Sequence, residues 1–87
     1  MDSFLLTISG RVQGIGFRYS CQSLANSLQL NGYAKNLPDG KVEILIQGKK
    51  DNIEEFQSRL NSLPMTRISS IKREKTNIEK QSQFQTL

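Results

Sequence analysis

The alternation of apolar and polar residues predicts that the chain begins with one strand and one helix. The mostly apolar run at 4–9 has the length of a strand, and Gly10 follows it. From Phe17 to Leu28 the apolar residues recur at helical spacing, which predicts an amphipathic helix. The pair Asn31-Gly32 then supplies a stop and a turn.

The middle of the chain predicts a β-hairpin. Residues 33–37 and 42–47 are both typical of strands, and apolar residues alternate onto one face of the second. Between them, Pro38 fixes its own φ and Gly40 permits a positive φ, so this segment is a turn. Two strands joined by so short a turn pair with each other.

A second helix and one or two further strands complete the prediction. Asp51 or Asn52 can cap the helix, because short polar side chains accept hydrogen bonds from the first amides of a helix. Its apolar stripe lies at offsets of 0, 3, 7 and 10 and consists of Ile53, Phe56, Leu60 and Leu63. Pro64 ends the helix. Residues 68–76 predict a fourth strand, and 83–86 predict a short fifth.

The predicted order is therefore β-α-β-β-α-β. Two helical crossovers and one hairpin give an antiparallel sheet with both helices on one face, which is the α+β, ferredoxin-like α/β sandwich. With 87 residues the chain is expected to form a single domain, 1–87. Many unrelated functions use this fold, so the architecture does not indicate an activity.

The composition excludes several kinds of active site. The chain has no His and only one Cys, which removes an imidazole base, a histidine-ligated metal and an internal disulfide. We expect neither a metal nor a cofactor. No apolar run approaches the ~20 residues that span a bilayer, and the first residues lack the basic region of a signal peptide. We therefore expect a cytoplasmic monomer that does not contact membranes.

The charge is positive and uneven. Lys and Arg number 12 against 8 Asp and Glu, a net charge of +4, and five of the basic residues lie between Arg67 and Lys80. This stretch is explained by an exposed edge strand that charge protects from aggregation. It also fits the attraction of an anionic small molecule or of a nucleic acid backbone.

The segment from Gly10 to Arg18 carries the candidate chemistry. Its glycines at 10, 14 and 16 permit unusual φ and ψ angles, and consecutive amides in such a loop bind anions. The positive end of the first helix faces the same concavity. Arg18 in the first turn has the wrong charge for this helix end unless an anion binds there. Taken alone, so loose a glycine pattern is more often an ordinary connection with a surface arginine.

The glycine spacing differs from that of the known cofactor loops. No Lys-Ser or Lys-Thr follows the glycines, so the P-loop of nucleoside triphosphatases is absent. The dinucleotide-binding pattern is absent as well, and an antiparallel sheet lacks the crevice that holds a dinucleotide. A small anion is the ligand that this loop favours.

Two segments in the right order resemble the signatures of the acylphosphatases. Residues 8–18, with the sequence ISGRVQGIGFR, resemble the first signature. Residues 32–36, followed by 39–43 and Gly48, resemble the second. The resemblance extends over roughly residues 4–76. Ile15 stands where valine is usual, and Leu63-Pro64 replaces the common Gly-Pro.

This resemblance implies an activity and assigns roles to residues. The family hydrolyses the carboxyl-phosphate anhydride of acyl phosphates without a metal or a covalent intermediate. By motif match, Arg18 binds the phosphate and Asn36 holds the attacking water. The backbone cradle for the phosphate consists of Gln13, Gly14, Ile15, Gly16 and Phe17. The acyl group of the substrate remains unspecified.

The residue types independently favour such chemistry. Phosphoryl transfer needs positioning and charge stabilisation, and the Arg18 guanidinium supplies a permanently charged fork of donors. The Asn36 amide can accept a hydrogen bond from water but is a very poor base. An acyl phosphate releases a carboxylate, whose conjugate acid has a pKa near 4, so the leaving group needs no acid catalyst.

Several residues have plainer alternatives. Asn36 is also explained by hydrogen bonding in the turn before Pro38. Cys21 is expected to be a small buried hydrophobe, and Phe17 is expected to pack in the core. Tyr19 is expected to be exposed, with no assigned role.

Three other functions remain open at this point. RNA-recognition modules share the element order, but they need aromatic residues on the central strands, and residues 42–46 contain none. An anion sensor would use the same loop without turnover. The chain also fits a domain of a larger carbamoyl-transfer maturation protein, although its start at Met1 and its end after the fifth strand favour independence.

Overall fold

Five strands and two helices follow one another in the predicted order. The computed structural model describes residues 1–87. The elements are β1 (Asp2–Arg11), α1 (Phe17–Ser27), β2 (Asn31–Asn36), β3 (Val42–Gly48), α2 (Lys50–Arg59), β4 (Arg67–Lys75) and β5 (Phe84–Thr86). The predicted β-α-β-β-α-β order is confirmed, and the short fifth strand forms. Neither helix is long and apolar enough to cross a membrane.

The strands form one sheet in the order β4-β1-β3-β2-β5. The first four are antiparallel to their neighbours, as predicted. β5 pairs in parallel with β2, so the complete sheet is mixed. The reason is the path of the chain, because β4 ends at the end of the sheet where β2 begins. A strand that crosses from there to the far edge runs in the same direction as β2.

The main core lies between the sheet and the two helices. Alternate residues of β1 point into it, beginning with Phe4. α1 buries Phe17, Cys21 and Ala25, and α2 buries Ile53 and Phe56. Burial raises the pKa of the Cys21 thiol to about 12. The prediction that Cys21 is a buried hydrophobe is therefore confirmed.

The start of α2 differs from the prediction. The residue that precedes the helix is Lys49, with extended backbone, and no side chain caps the helix by a hydrogen bond. The prediction that Asp51 or Asn52 caps the helix is wrong, since both lie inside it. Asp51 instead contributes a negative charge to the first turn, where it complements the helix dipole.

The end of α2 is also earlier than predicted. The α-helix stops at Arg59, and a single turn of 3-10 helix follows at Leu60–Ser62. Leu63, which the apolar pattern placed in the helix, has extended backbone with φ −71° and ψ 146°. Pro64 explains this, because a proline disfavours the helical conformation of the residue before it.

The edge strand β4 is attached to α2 through one arginine. Both terminal nitrogens of Arg73 donate to the Glu54 carboxylate at 2.9 Å, and one also donates to Gln57 at 3.1 Å. The guanidinium lies 3.8 Å from the centroid of the Phe4 ring. Lys72 pairs with Glu74 at 3.0 Å. Part of the positive charge in the Arg67–Lys80 stretch is therefore paired within the protein.

A crossing segment, residues 76–83, passes the sheet at the end where β2 begins. It joins β4 at one edge to β5 at the other and bonds to the buried side chain of Gln47. The Gln47 amide nitrogen donates to the carbonyl oxygens of Ile78 and Glu79, and its oxygen accepts from the backbone of Gln81 at 2.8 Å. One buried amide thus fixes the path that leads the chain to β5.

Replacing Gln47 by leucine is expected to lower the free energy of unfolding by about 2–4 kcal/mol, because it leaves several polar groups without partners. Urea denaturation measures this loss. The matched control is Gln83→Leu in the same part of the chain, where the side chain is exposed and makes no hydrogen bond. We expect the control to change stability by less than about 0.5 kcal/mol. Equal losses in both variants would contradict the assigned function of Gln47.

The Glu54–Arg73 pair predicts a loss of stability in acid. Hydrogen bonds from Arg73 hold the pKa of Glu54 below its ordinary value of 4.5. The pair therefore stabilises the fold fully above that ordinary value, and the contribution is lost as the pH falls through the lowered pKa. Urea denaturation between about pH 7 and pH 2 should show the stability difference between wild type and Glu54→Gln shrinking in that window. A stability difference between wild type and Glu54→Gln that stays constant down to the lowest pH would contradict this prediction.

Candidate active site

The loop between β1 and α1 depends on two glycines with left-handed backbone. Gly14 has φ 74°, and Gly16, which immediately precedes α1, has φ 79° and ψ 14°. A Cβ atom on either glycine would meet nothing within 4 Å. Glycine is therefore favoured here by the backbone conformation and not by lack of space.

The backbone N–H groups of this loop have no partners in the protein. No backbone or side-chain acceptor receives a hydrogen bond from the amides of residues 13–19. α1 also has no side-chain cap and no acidic residue in its first turn. The positive end of the helix and a run of unpaired donors thus coincide, which is the arrangement that binds an anion.

These donors border a small cavity of about 150 Å³. The cavity brings together Arg18 from the first turn of α1 and Asn36 from the end of β2. Its lining consists of Val12, Gly14, Gly16, Phe17, Arg18, Tyr19 and Asn36. The two side chains that the motif singled out therefore lie on the same side of the molecule, at one concavity.

Arg18 is oriented by the last strand. One terminal nitrogen of its guanidinium donates to the backbone carbonyl oxygen of Leu87. Leu87 is held in turn by its own N–H, which donates to Ala34 of β2 at 2.8 Å. Arg18 makes no ion pair with an Asp or Glu side chain. Its remaining N–H groups are available to a ligand.

Asn36 has a buried acceptor without a partner. Its side-chain oxygen Oδ1 is buried and accepts no hydrogen bond. The turn after β2 is closed by other groups, since the N–H of Leu37 donates to Lys41 at 2.8 Å and the N–H of Lys41 donates to Asp39 at 3.1 Å. The plainer alternative, in which the Asn36 side chain stabilises this turn, is therefore wrong.

Gln13 connects the loop to the hairpin that carries Asn36. Its side-chain amide donates to the backbone carbonyl oxygens of Leu37 and Lys41, both at 2.9 Å. Ile15 packs against the core. Neither residue is among those that line the cavity.

The motif alone did not indicate every residue at this site. Val12 and Tyr19 also line the cavity, and Tyr19 is 70% exposed, as expected. Phe17 is buried in the core as predicted, although it also contributes to the cavity wall. No three side chains of the His, Cys, Asp or Glu types form a group that could hold a metal ion.

Comparison with known proteins identifies relatives of the whole chain. The acylphosphatase family profile matches residues 4–86. An acylphosphatase from Aliivibrio fischeri is 41% identical over 83 residues, which cover 94% of this chain and 92% of that protein. The crystal structure of acylphosphatase from Bacillus subtilis has a TM-score of 0.94 at 31% identity and covers 100% of this chain and 99% of its own.

A much longer protein contains a similar fold. The crystal structure of T. kodakarensis HypF has a TM-score of 0.89 at 30% identity, but the match covers only 12% of that chain. The family profile, in contrast, extends from β1 to β5 of the present protein and includes the cavity with Arg18 and Asn36. The chain therefore belongs to the acylphosphatase family and is a hydrolase of acyl phosphates.

Proposed function

We propose that Arg18 and the amides of residues 13–17 bind the phosphate group of an acyl phosphate, and that Asn36 orients the water that attacks its phosphorus, without a metal ion. The observation that carries this proposal is the single cavity that Arg18 and Asn36 line together with the glycines of the loop. The Asn36 side chain makes no hydrogen bond within the protein, so its amide can bond a water in this cavity.

The proposed step balances without an acid or base from the protein. The water oxygen forms a bond to phosphorus, and the bond between phosphorus and the carboxyl oxygen breaks with its electron pair on the carboxylate. An acyl phosphate dianion and water thus give a carboxylate and dihydrogen phosphate, with both protons of the water kept by the phosphate product. The leaving carboxylate has a conjugate acid of pKa about 4, so it departs without protonation.

Arg18 and the loop amides supply the electrostatic part. Charge on the three peripheral oxygens of the transferring phosphoryl group is stabilised by fixed donors that do not have to reorganise during the reaction. The guanidinium matches two of these oxygens with its planar fork. Its single contact to Leu87 leaves donors for this purpose.

The two hydrogen bonds from the Gln13 side chain hold the phosphate-binding loop at a fixed distance from the segment that carries Asn36. They join the loop that precedes α1 to both ends of the β2–β3 connection, whose first residue follows Asn36. Displacing a positioned reactant by about 1 Å costs up to about 100-fold in rate, so such a cross-connection has kinetic consequences. We therefore assign Gln13 as a positioning residue.

The RNA-binding alternative has less support. RNA modules of this topology stack bases on aromatic side chains of the sheet face that the helices leave open. In this protein the central strand β3 places no aromatic side chain on that face. Leu45, which points to it, is fully buried, and Tyr33 donates its hydroxyl to Glu43 at 2.7 Å. Burial, together with that hydrogen bond and the negative charge of Glu43, raises the pKa of Tyr33 to about 12.

Substitution of the two cavity residues separates binding from turnover. We expect Arg18→Ala to weaken competitive inhibition by inorganic phosphate and Asn36→Ala to retain it. Asn36→Ala should lower kcat by about 100- to 1,000-fold, which is typical for loss of one transition-state contact. The assay is hydrolysis of benzoyl phosphate with a chelator present.

Exposed residues of the same types provide matched controls, namely Arg11→Ala and Asn26→Ala. Circular dichroism checks that each variant folds, and the controls should retain the kcat of the wild type. Absence of turnover in the wild type would favour a non-catalytic anion sensor. A requirement for a divalent metal, or full activity of both cavity variants, would overturn the assigned mechanism.

Gln13→Glu tests the cross-connection. The substitution replaces a donor by a carboxylate that cannot donate to the carbonyl oxygens of Leu37 and Lys41 and that repels phosphate. We expect kcat/KM to fall by more than about 100-fold, and Gln13→Ala to cause about a tenfold loss that falls mainly on kcat. The control is Gln22→Ala, which removes a side-chain bond of similar type to Phe84 at 2.9 Å, away from the cavity. Equal effects of Gln13→Ala and Gln22→Ala would indicate only a loss of fold stability.

A further inference from the structure

A shallow groove adjoins the phosphate cavity. Its volume is about 460 Å³, roughly three times that of the cavity, and Tyr19 lines both. The groove is lined by Tyr19, Ser20, Ser23, Leu24 and Leu63. A ligand whose phosphate occupies the cavity therefore has the groove on the other side of Tyr19.

One side of the groove comes from α1. Tyr19 and Ser23 are four residues apart, as are Ser20 and Leu24, so these pairs form adjacent rows on one face of the helix. The other side is Leu63, directly after the 3-10 turn. The Leu63 segment is held by the hydrogen bond from its own N–H to Leu60 at 3.3 Å and by Thr66, whose hydroxyl donates to Pro64 at 3.2 Å.

The chemistry of the groove contrasts with that of the cavity. None of the five lining residues carries a charge. Leu24 and Leu63 pack against the core and offer apolar atoms, and the Tyr19 ring is 70% exposed. The hydroxyls of Ser20 and Ser23 make no hydrogen bond within the protein. An anionic group placed here would lose hydration without gaining a cation, whereas an uncharged apolar group would gain contact area.

We propose that this groove binds the acyl group of the substrate and that Tyr19 selects acyl phosphates whose acyl group is uncharged and apolar or aromatic. This inference rests on the proposed function, because it needs the phosphate to occupy the neighbouring cavity. Tyr19 is adjacent to Arg18 in the first turn of α1, so the side chain that contacts the acyl group directly follows the residue that binds the phosphate.

The contact with the acyl group is expected to affect binding more than the chemical step. Atoms of the acyl group far from phosphorus change little between the ground state and the transition state. Their loss of contact raises KM and leaves kcat nearly constant. The relevant quantity is the ratio of kcat/KM for benzoyl phosphate to that for acetyl phosphate, because both substrates present the same phosphate to Arg18.

We expect the wild type to hydrolyse both substrates and to favour benzoyl phosphate. Tyr19→Ala should lower the benzoyl-to-acetyl ratio by about five- to tenfold through KM, consistent with partial exposure of one aromatic ring to water. Ser23→Asp places a negative charge in the groove and should lower the ratio by a similar factor. Asn26→Asp adds the same charge at an exposed position of α1 outside the groove and should leave the ratio within about twofold of wild type.

A binding measurement without turnover provides a second readout. Benzylphosphonate and methylphosphonate carry the same charged group and differ in the apolar one. Wild type should bind benzylphosphonate more tightly as a competitive inhibitor, and Tyr19→Ala should reduce that preference by about the same five- to tenfold factor.

The outcomes distinguish the two proposals. If the wild type hydrolyses both substrates but Tyr19→Ala and Ser23→Asp leave the ratio and the phosphonate preference unchanged, the acyl groove is refuted and the phosphate site stands. A ratio that falls equally in Asn26→Asp also refutes the groove. If the wild type hydrolyses neither substrate, the proposed function fails, and the groove assignment fails with it.

Discussion

A loop that offers its backbone N–H groups to a ligand cannot use them to hold its own shape. The amides of residues 13–19 make no hydrogen bonds within the protein, so other groups must fix this loop. Three kinds of contact do so. Phe17 and Val12 are buried in the core, the side chain of Gln13 bonds to the β2–β3 connection, and the two left-handed glycines set the path of the backbone. Side chains and the two glycines therefore set the shape of this loop, while its main-chain amides remain unpaired.

Arg73 and Arg18 have different partners in the structure and therefore different functions. Both terminal nitrogens of Arg73 donate to the Glu54 carboxylate, and its guanidinium lies over the Phe4 ring. These contacts attach an edge strand to a helix. Arg18 makes one bond to the main-chain oxygen of Leu87 and pairs with no Asp or Glu side chain. The positive charge of the chain is thus divided between internal pairing and a cavity, a distinction that the net charge of +4 does not reveal.

Most of the fold could be predicted from the sequence, because apolar residues recur every 2 positions in half-buried strands and about every 3.6 positions in amphipathic helices. The crossing segment could not, since residues 76–83 are largely polar and their path depends on three backbone groups that meet the Gln47 amide. The parallel pairing of β5 follows from that path. At the site, two motifs singled out Arg18 and Asn36, which the structure places at one cavity. The sequence could not show whether the Asn36 side-chain oxygen accepts a hydrogen bond within its turn. That depends on the geometry of the turn and on the neighbouring cavity, which the local sequence does not encode.

The orientation of Arg18 depends on β5, a short strand at the edge of the sheet, because Arg18 bonds to the residue that follows this strand. This strand has three residues, and besides its pairing with β2 it is held mainly by Phe84, whose ring lies 6.4 Å from that of Phe56. Short border strands detach at a lower free energy than the centre of a sheet. The main-chain oxygen of Leu87 leaves with the strand and Phe84 leaves the core, so the guanidinium of Arg18 loses its support. The orientation of this arginine is therefore tied to local opening at the edge of the sheet as well as to cooperative unfolding.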